Sequence, residues 1–277
     1  MFQNEIGCNP VEAHGKIPTQ NVIAVIPARY NSTRLEGKLL LPLAGKPLIL
    51  RTVEQAKKAE NVSRVVVATD DERICRVVEE SGNEAIMTSS SHQSGSDRIA
   101  ELAEQLPSGS IVVNVQGDEP LIPPTTIEKA VEMILEDIDV DVATTCEKIS
   151  EPKDVLSPDV VKVVTDANGF ALYFSRLAIP YPRQAVMNYG DLKTALEIET
   201  TLLSNFRKHT GLYAYRREFL LRYTAMPQTI LEKIEMLEQM RVLENGGRIK
   251  VVEVKESSIG VDTKDDFERV REILETV

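Results

Sequence analysis

Hydrophobic positions along this chain come in two rhythms. Residues 22–26, VIAVI, form an unbroken apolar run that ends at Pro27. A strand covered by helices on both faces has no need to alternate, so the run predicts a buried strand. Apolar positions then return at helical spacing: Ile49, Val53 and Ala56 share one face of a segment opened by Pro47 and running to about Glu60. Residues 64–69 predict a second buried strand, and Asp70-Asp71 a cap for a helix carrying Ile74, Val77 and Val78, which Gly82 stops. A short strand over 85–87 follows, then a serine-rich loop and a helix with Ile99, Leu102 and Leu106. Residues 111–115 predict a strand, and Pro123-Pro124-Thr125 opens a helix with Ile127, Val131 and Ile134. Strands alternating with helices predict an α/β fold with a mainly parallel sheet flanked by helices.

The rhythm changes after Thr145. Residues 160–165 and 170–175 flank the turn signal Asp166-Ala167-Asn168-Gly169 and predict a β-hairpin. Residues 181–208 have weak periodicity and predict a long loop, with at most a helix near its end. Residues 211–215 predict a strand, and 230–243 one helix stopped by Asn245-Gly246-Gly247. A strand over 249–254 and a terminal helix over 264–275 complete the pattern. The second half thus reads as a hairpin-containing subdomain added to an α/β core, with the boundary near residue 150.

Composition narrows the function. A hydrophobic fraction of 42% with 27% charged residues allows a sizeable core in 277 residues. A net charge of −11 argues against a nucleic-acid surface, and no apolar run reaches transmembrane length. The first twenty residues lack the basic start and apolar centre of a signal peptide. Cys8, Cys75 and Cys146 form no metal or disulfide spacing, which suits a reducing compartment. The expectation is a cytoplasmic protein that engages neither nucleic acid nor membrane.

Against that acidic balance the segment after the first strand is basic. It carries Arg29, Arg34 and Lys38 with Ser32, Thr33 and Gly37. Guanidinium forks, an ammonium, hydroxyls and backbone N–H groups suit a polyphosphate. The segment leaves a strand's carboxyl end, where open α/β sheets bind ligands. Asp118, in QGDEP, ends another strand on the same edge. A carboxylate beside a polyphosphate repels it unless a cation lies between, and Mg2+ is the expected cation. Helix capping is the alternative reading for Asp118 or Glu119, and equally for Asp262 in GVDT. In SHQSGSDR, Gly95 permits close approach to a planar ring and Arg98 suits a base or phosphate; a serine loop with a capping Ser96 or Asp97 is the alternative to a site that includes His92. His209 adjoins the strand of Tyr213 and Tyr215 and reads either as a packed histidine or as a contact to a polar substrate. Glu238 and Gln239 read either as solvated helix positions or as part of a site. The absence of G-x-G-x-x-G, a zinc-ligand cluster or a Ser-His-Asp order counts against dinucleotide and hydrolase chemistry.

Taken together, IPARYNSTRLEGK, ATDD, SGSDRIAE, NVQGDEPLIPP, VVKVV, ALYFSR with IPYPR, HTGLYAYR, LEQMRVLENG and GVDT resemble the 3-deoxy-manno-octulosonate cytidylyltransferase (CMP-Kdo synthetase) family, in that family's order from Val22 nearly to the end. The resemblance implies a glycosyltransferase-A-like nucleotidyltransferase fold and a homodimer. It also implies Mg2+-dependent transfer of CMP from CTP to the anomeric hydroxyl of Kdo, releasing pyrophosphate, for lipopolysaccharide biosynthesis. Carried over by position, Arg29, Ser32, Arg34 and Lys38 would hold the CTP phosphates, while Ser94, Gly95, Arg98 and Gln116 would surround the cytidine. Asp118 and Asp262 would bind Mg2+, and Arg176, His209, Tyr213, Glu238 and Gln239 would line the Kdo site. Lys38, Arg29, Asp118 and Asp262 would then carry catalysis. The implied organisation is an extension over 1–20, a nucleotide-binding α/β core over 21–150, and a sugar-binding and dimerisation part over 151–277 packed on it as a single domain. Glu36 stands where the family usually has proline, Thr210 replaces an aliphatic residue, and the stretch before His209 is long. The rivals are the same reaction on 8-amino-Kdo or sialic acid, and a non-catalytic nucleotide-binding dimer module.

Overall fold

A computed structural model of the chain describes residues 21–31, 35–92, 94–255 and 258–276. The first half follows the alternation read from the sequence. Strand β1 (Val22–Ala28) leads through a 3-10 turn at Lys38–Leu40 and two short paired strands, β2 (Pro42–Leu43) and β3 (Lys46–Pro47), into α1 (Leu48–Lys57). Then come β4 (Arg64–Thr69), α2 (Glu72–Glu80), β5 (Glu84–Met87), α3 (Gly95–Glu104), β6 (Ile111–Asn114) and α4 (Pro124–Glu136). The second half contributes β7 (Val142–Lys148), α5 (Pro152–Leu156), β8 (Lys162–Thr165), β9 (Ala171–Ser175), α6 (Arg183–Tyr189) and α7 (Leu192–Ile198). It closes with β10 (Arg207–Arg216), α8 (Arg217–Thr224), α9 (Ile230–Glu235), α10 (Met240–Glu244), β11 (Ile249–Glu253) and α11 (Lys264–Thr276).

Nine strands form one sheet in the order β11-β7-β10-β6-β1-β4-β5, with the β8–β9 hairpin attached through β10. β1 pairs in parallel with β4 and β6, whereas β10 runs antiparallel between β6 and β7. The unbroken run of β1 is explained by its place. Val22, Ala24, Ile26 and Ala28 pack into one core, and Ile23 and Val25 into the other across the sheet. The chain passes from β1 to β4 and β5 on one side and returns to β6 on the other. That reversal opens a crevice beyond the carboxyl ends of β1 and β6.

Departures from the sequence pattern lie mostly in the second half. Residues 181–208 are not a loop: they fold into α6, α7 and a 3-10 turn at Thr200–Asn205. Asp191 caps α7 by accepting from the Thr194 N–H, while Leu196, Leu203 and Phe206 pack with Ile149 and Val155 in a small separate cluster. Helices this short bury only one or two residues each, so they leave little periodic trace. β10 is longer than the strand read over 211–215, and neither β7 nor α8 is announced by the hydrophobic pattern.

The single helix expected over 230–243 is also corrected. Met236 adopts the left-handed conformation at φ 54° and splits it into α9 and α10. A non-glycine residue there costs on the order of 1 kcal/mol and needs support from its surroundings. The buried pair Glu232–Arg241 spans the break, with Arg241 Nε donating to Glu232 Oε2 at 2.9 Å and an Nη to Oε1 at 2.5 Å. Both side chains are about 95% shielded from solvent. Replacing Glu232 with Ala strands the Arg241 charge in the interior, and we expect a stability loss of about 3 kcal/mol in denaturant melts; a loss below about 1 kcal/mol would show that the pair does not hold this break.

Candidate functional site

Of the residues singled out as polyphosphate ligands, Arg29 and Lys38 meet at the β1–β6 crevice. Pro27, Arg29, Asn31, Lys38, Ser94, Gly95, Gln116, Gly117, Asp118 and Glu238 line a cleft of about 420 Å³. The loop after β6 comes close to β1 because Gly117 has no side chain: a Cβ there would sit 3.0 Å from the Pro27 carbonyl oxygen. Thr52 of α1 donates to the Gly117 carbonyl at 3.0 Å and fixes it from below. Ser94 caps α3, accepting from the Asp97 N–H at 3.1 Å, so the amino end of that helix borders the cleft. Arg29 is anchored by donating to the His92 carbonyl at 2.9 Å. Ser32 and Arg34 lie outside the described residues.

Lys38 is the centre of this end. Its ammonium donates to Asp118 Oδ2 at 2.6 Å, to the Val261 carbonyl at 2.9 Å and to Asp262 Oδ1 at 3.0 Å. Burial works against the charge, but Asp118 and then Asp262 outweigh it and raise the Lys38 pKa above its ordinary value. Neither carboxylate serves as a helix cap. Thr263 and Asp266 cap α11 between them, and α4 begins at Pro124 with no side-chain cap. Beside Asp118, desolvation first and the Asp118 charge second push the Glu119 carboxyl up to about 7. No group of three or more metal-ligating side chains occurs among the described residues. Two carboxylates that already accept a cation nonetheless fit Mg2+, which commonly takes one or two protein carboxylates and completes its shell with phosphate oxygens and water.

Gln116, Gly95 and Glu238 also belong to a second hollow of about 250 Å³, walled by Asn114, His209, Gly211, Tyr213, Tyr215, Tyr223 and Gln239. The two hollows therefore form one continuous cleft. A bulge in β10 builds its far end: His209 stands opposite Cys146 and Tyr213 opposite Thr144, so four residues of β10 span two of β7. The ring centroids of His209 and Tyr213 come to 5.3 Å, closer than four positions on a regular strand permit. Inside the bulge, the Gly211 carbonyl accepts from Gln116 Nε2 at 3.2 Å. The break at Met236 brings Glu238 and Gln239 to the same wall, and Tyr223 holds the turn by donating its hydroxyl to the Glu238 carbonyl at 3.0 Å.

Two polar atoms here are unspent. The Tyr213 hydroxyl and Gln239 Nε2 are buried and have no hydrogen-bond partner among the described residues. Such groups cost free energy until a ligand pairs with them. His209, by contrast, is engaged. Thr144 Oγ1 gives its proton to the Leu212 carbonyl at 2.7 Å, so it accepts from His209 Nε2–H at 2.9 Å and selects that neutral tautomer. Burial lowers the His209 pKa to about 3.

Two expected ligands sit elsewhere. Arg98 is fully buried behind the cleft, donating to Asp70 Oδ2 at 2.7 Å and to Thr88 Oγ1, where it braces the ends of β4 and β5. Arg176 donates through its backbone N–H to Glu235 Oε2 at 3.1 Å, through Nε to the Glu235 carbonyl at 2.8 Å and through Nη to the Pro158 carbonyl at 3.0 Å, tying β9 to the end of α9. Neither lines the cleft. Sequence reasoning missed Tyr223 and Thr144 as parts of the site. Tyr215, two positions after Tyr213 on the same strand face, was the readable signal for the aromatic wall.

The unfolded chain protonates His209 near 6.5, whereas the folded chain resists until about 3. Between those values the unfolded state holds more protons, so stability falls as pH drops below about 6.5, by at most about 1.4 kcal/mol per pH unit. His209→Asn should flatten the unfolding free energy over that window; an unchanged slope would contradict a neutral imidazole in the folded protein.

Comparison with known proteins agrees with this geometry. A family model described as cytidylyltransferase matches residues 23–254. A 3-deoxy-manno-octulosonate cytidylyltransferase of Trichlorobacter lovleyi is 52% identical over 91% of this chain and 97% of that protein. One from Geobacter sulfurreducens is 49% identical over 92% and 99%. Among solved structures, a CMP:2-keto-3-deoxy-manno-octonic acid synthetase complexed with CTP superposes with a TM-score of 0.83 at 39% identity, covering 93% of this chain and 99% of that one. The fold alone is shared with a 4-diphosphocytidyl-2C-methyl-D-erythritol synthase of Anaerococcus prevotii, at a TM-score of 0.60 and 13% identity over 93% and 100%. With most of its length matched by the family model and about half its residues shared with such relatives, the chain belongs to the cytidylyltransferase family.

Proposed function

We propose that this chain transfers CMP from CTP to the anomeric hydroxyl of Kdo, giving CMP-Kdo and pyrophosphate for lipopolysaccharide biosynthesis. The observation that carries the reading is the continuous cleft: a cationic end at Arg29 and Lys38 joined to an end with two unpaired buried polar groups, on Tyr213 and Gln239. The first suits a triphosphate, and the second a polyhydroxylated acid able to pair with both groups. The names of the relatives add CTP and Kdo to those two chemistries.

The chemistry follows from the geometry. The sugar hydroxyl attacks the α-phosphorus and loses its proton to solvent, a P–O bond to the sugar forms, and the bond to the bridging oxygen breaks as pyrophosphate leaves. Arg29 and Lys38 offset the charge that builds on the phosphate oxygens, and the amino end of α3 orients the nucleotide beside Gly95 and Gln116. His209, held neutral, serves as a fixed hydrogen-bonding wall rather than as a base poised near neutrality. Asp118 and Asp262 would hold Mg2+, which when bound supplies Lewis-acid charge to the phosphates and acidifies a hydroxyl it touches. Positioning and electrostatics then carry the catalysis.

We also read the protein as a cytoplasmic homodimer with no nucleic-acid or membrane partner, its part over 151–277 supplying the sugar site and the contact between copies. Exposed apolar residues support the contact: Leu172 on β9 and Ile230 and Ile234 on α9 are each more than 60% exposed. No helix among the described residues is long and apolar enough to cross a membrane.

Incubation with CTP, Mg2+ and Kdo should release pyrophosphate, with 8-amino-Kdo and sialic acid as comparison arms. No release with any sugar acid would favour a binding module, and faster release with the amino sugar would reassign the substrate. Asp118→Asn and Asp262→Asn should each lower turnover about a hundredfold or more and weaken the Mg2+ dependence of CTP binding while leaving the melting temperature near wild type. Near-normal turnover in both would remove the metal assignment.

A further inference from the structure

Arg29 and Lys38 are each next in sequence to one of two residues, Tyr30 and Gly37, that are closed on each other. The Gly37 N–H donates to the Tyr30 carbonyl at 3.1 Å. Gly37 sits at φ +63°, and a Cβ there would lie 3.0 Å from the Tyr30 ring, so the ring rests directly against the backbone at that point. The same ring is covered by a cation: the Arg73 guanidinium carbon lies 3.3 Å from its centroid. That guanidinium is itself fixed. Asp71 accepts from Arg73 Nε at 2.9 Å and from an Nη at 2.6 Å, and it also caps α2 by accepting from the Arg73 N–H. The first turn of α2 thus presents an exposed planar cation, paired with Asp71, to Tyr30.

We infer that Arg73, clamped by Asp71 and stacked on the Tyr30 ring above Gly37, is a positioning residue that sets the placement of Arg29 and Lys38 at the phosphate end of the cleft. Tyr30 is bonded to Arg29 and Gly37 to Lys38, so a shift of the ring is passed directly to both ligands. Arg29 is held on its other side by the His92 carbonyl, and Lys38 by Asp118, Val261 and Asp262. The Tyr30–Arg73 stack joins those two anchored points. Arg73 lines neither part of the cleft, which distinguishes it from a phosphate ligand.

The inference rests on the CTP-dependent reading, and binding of CTP measured without the sugar separates the two. We expect Arg73→Ala and Tyr30→Leu to weaken CTP binding in calorimetry by about three- to tenfold. Both should raise KM for CTP alike while leaving KM for Kdo and the melting temperature unchanged. Tyr30→Phe, which keeps the ring, should bind as wild type does. Wild-type CTP affinity in Arg73→Ala, or equal rises in KM for both substrates, would overturn the positioning role. A wild-type protein that binds no CTP would overturn the nucleotide reading and this inference with it.

Discussion

One ammonium group joins parts of this chain that are remote in sequence. Lys38 reaches the loop after β6 through Asp118 and the segment before α11 through Val261 and Asp262, and the Val261 N–H returns a hydrogen bond to the Asp118 carbonyl at 2.8 Å. A half-exposed ion pair adds little to stability, but a largely shielded ammonium shared by two carboxylates and a carbonyl fixes geometry. The contact defines the edge of the cleft, where Asp118 and Asp262 both accept the Lys38 ammonium. The sheet reversal between β1 and β6 places the cleft, and Lys38 closes one side of it.

The other end owes its shape to irregularities. The β10 bulge draws His209 towards Tyr213, and the left-handed Met236 turns Glu238 and Gln239 inward. Both features cost local regularity, and both are held by polar contacts: Thr144 on His209, Glu235 on the end of β9, and Arg241 on Glu232. The Lys162 ammonium does similar work behind the site, donating to the carbonyls of Ser157, Val160 and Arg176. Strain and polar networks thus surround a pocket whose own Tyr213 hydroxyl and Gln239 Nε2 have no partner among the described residues.

Physical reasons decide what the sequence could disclose. β1, β4 and β6 are legible because a buried parallel strand must be apolar on both faces, and α1, α3 and α4 because each buries a long stripe, while α2 is marked by its Asp71 cap. Arg29, Lys38 and Asp118 could be grouped because all follow strands that end on one sheet edge. The bulge carries no periodic signature, and Gly211 within the strand is its one local sign. Met236 was hidden because Leu231, Ile234, Leu237 and Leu243 preserve helical spacing across the break. Arg98 and Arg176 were read as ligands from motif position, yet their guanidiniums are committed to Asp70, Thr88, Glu235 and Pro158. Partners so distant in sequence emerge only once the chain is folded.

In the proposed reaction one cleft holds the triphosphate at Lys38 and the acidic sugar at Tyr213 and Gln239. A crystal structure with CTP, Mg2+ and Kdo tests it most directly. Phosphate oxygens should lie against Arg29 and Lys38, a cation should be held by the Asp118 and Asp262 carboxylates, and sugar oxygens should pair with the Tyr213 hydroxyl and Gln239 Nε2. A sugar acid seated away from this cleft, with the Tyr213 and Gln239 groups still unpaired, would contradict it.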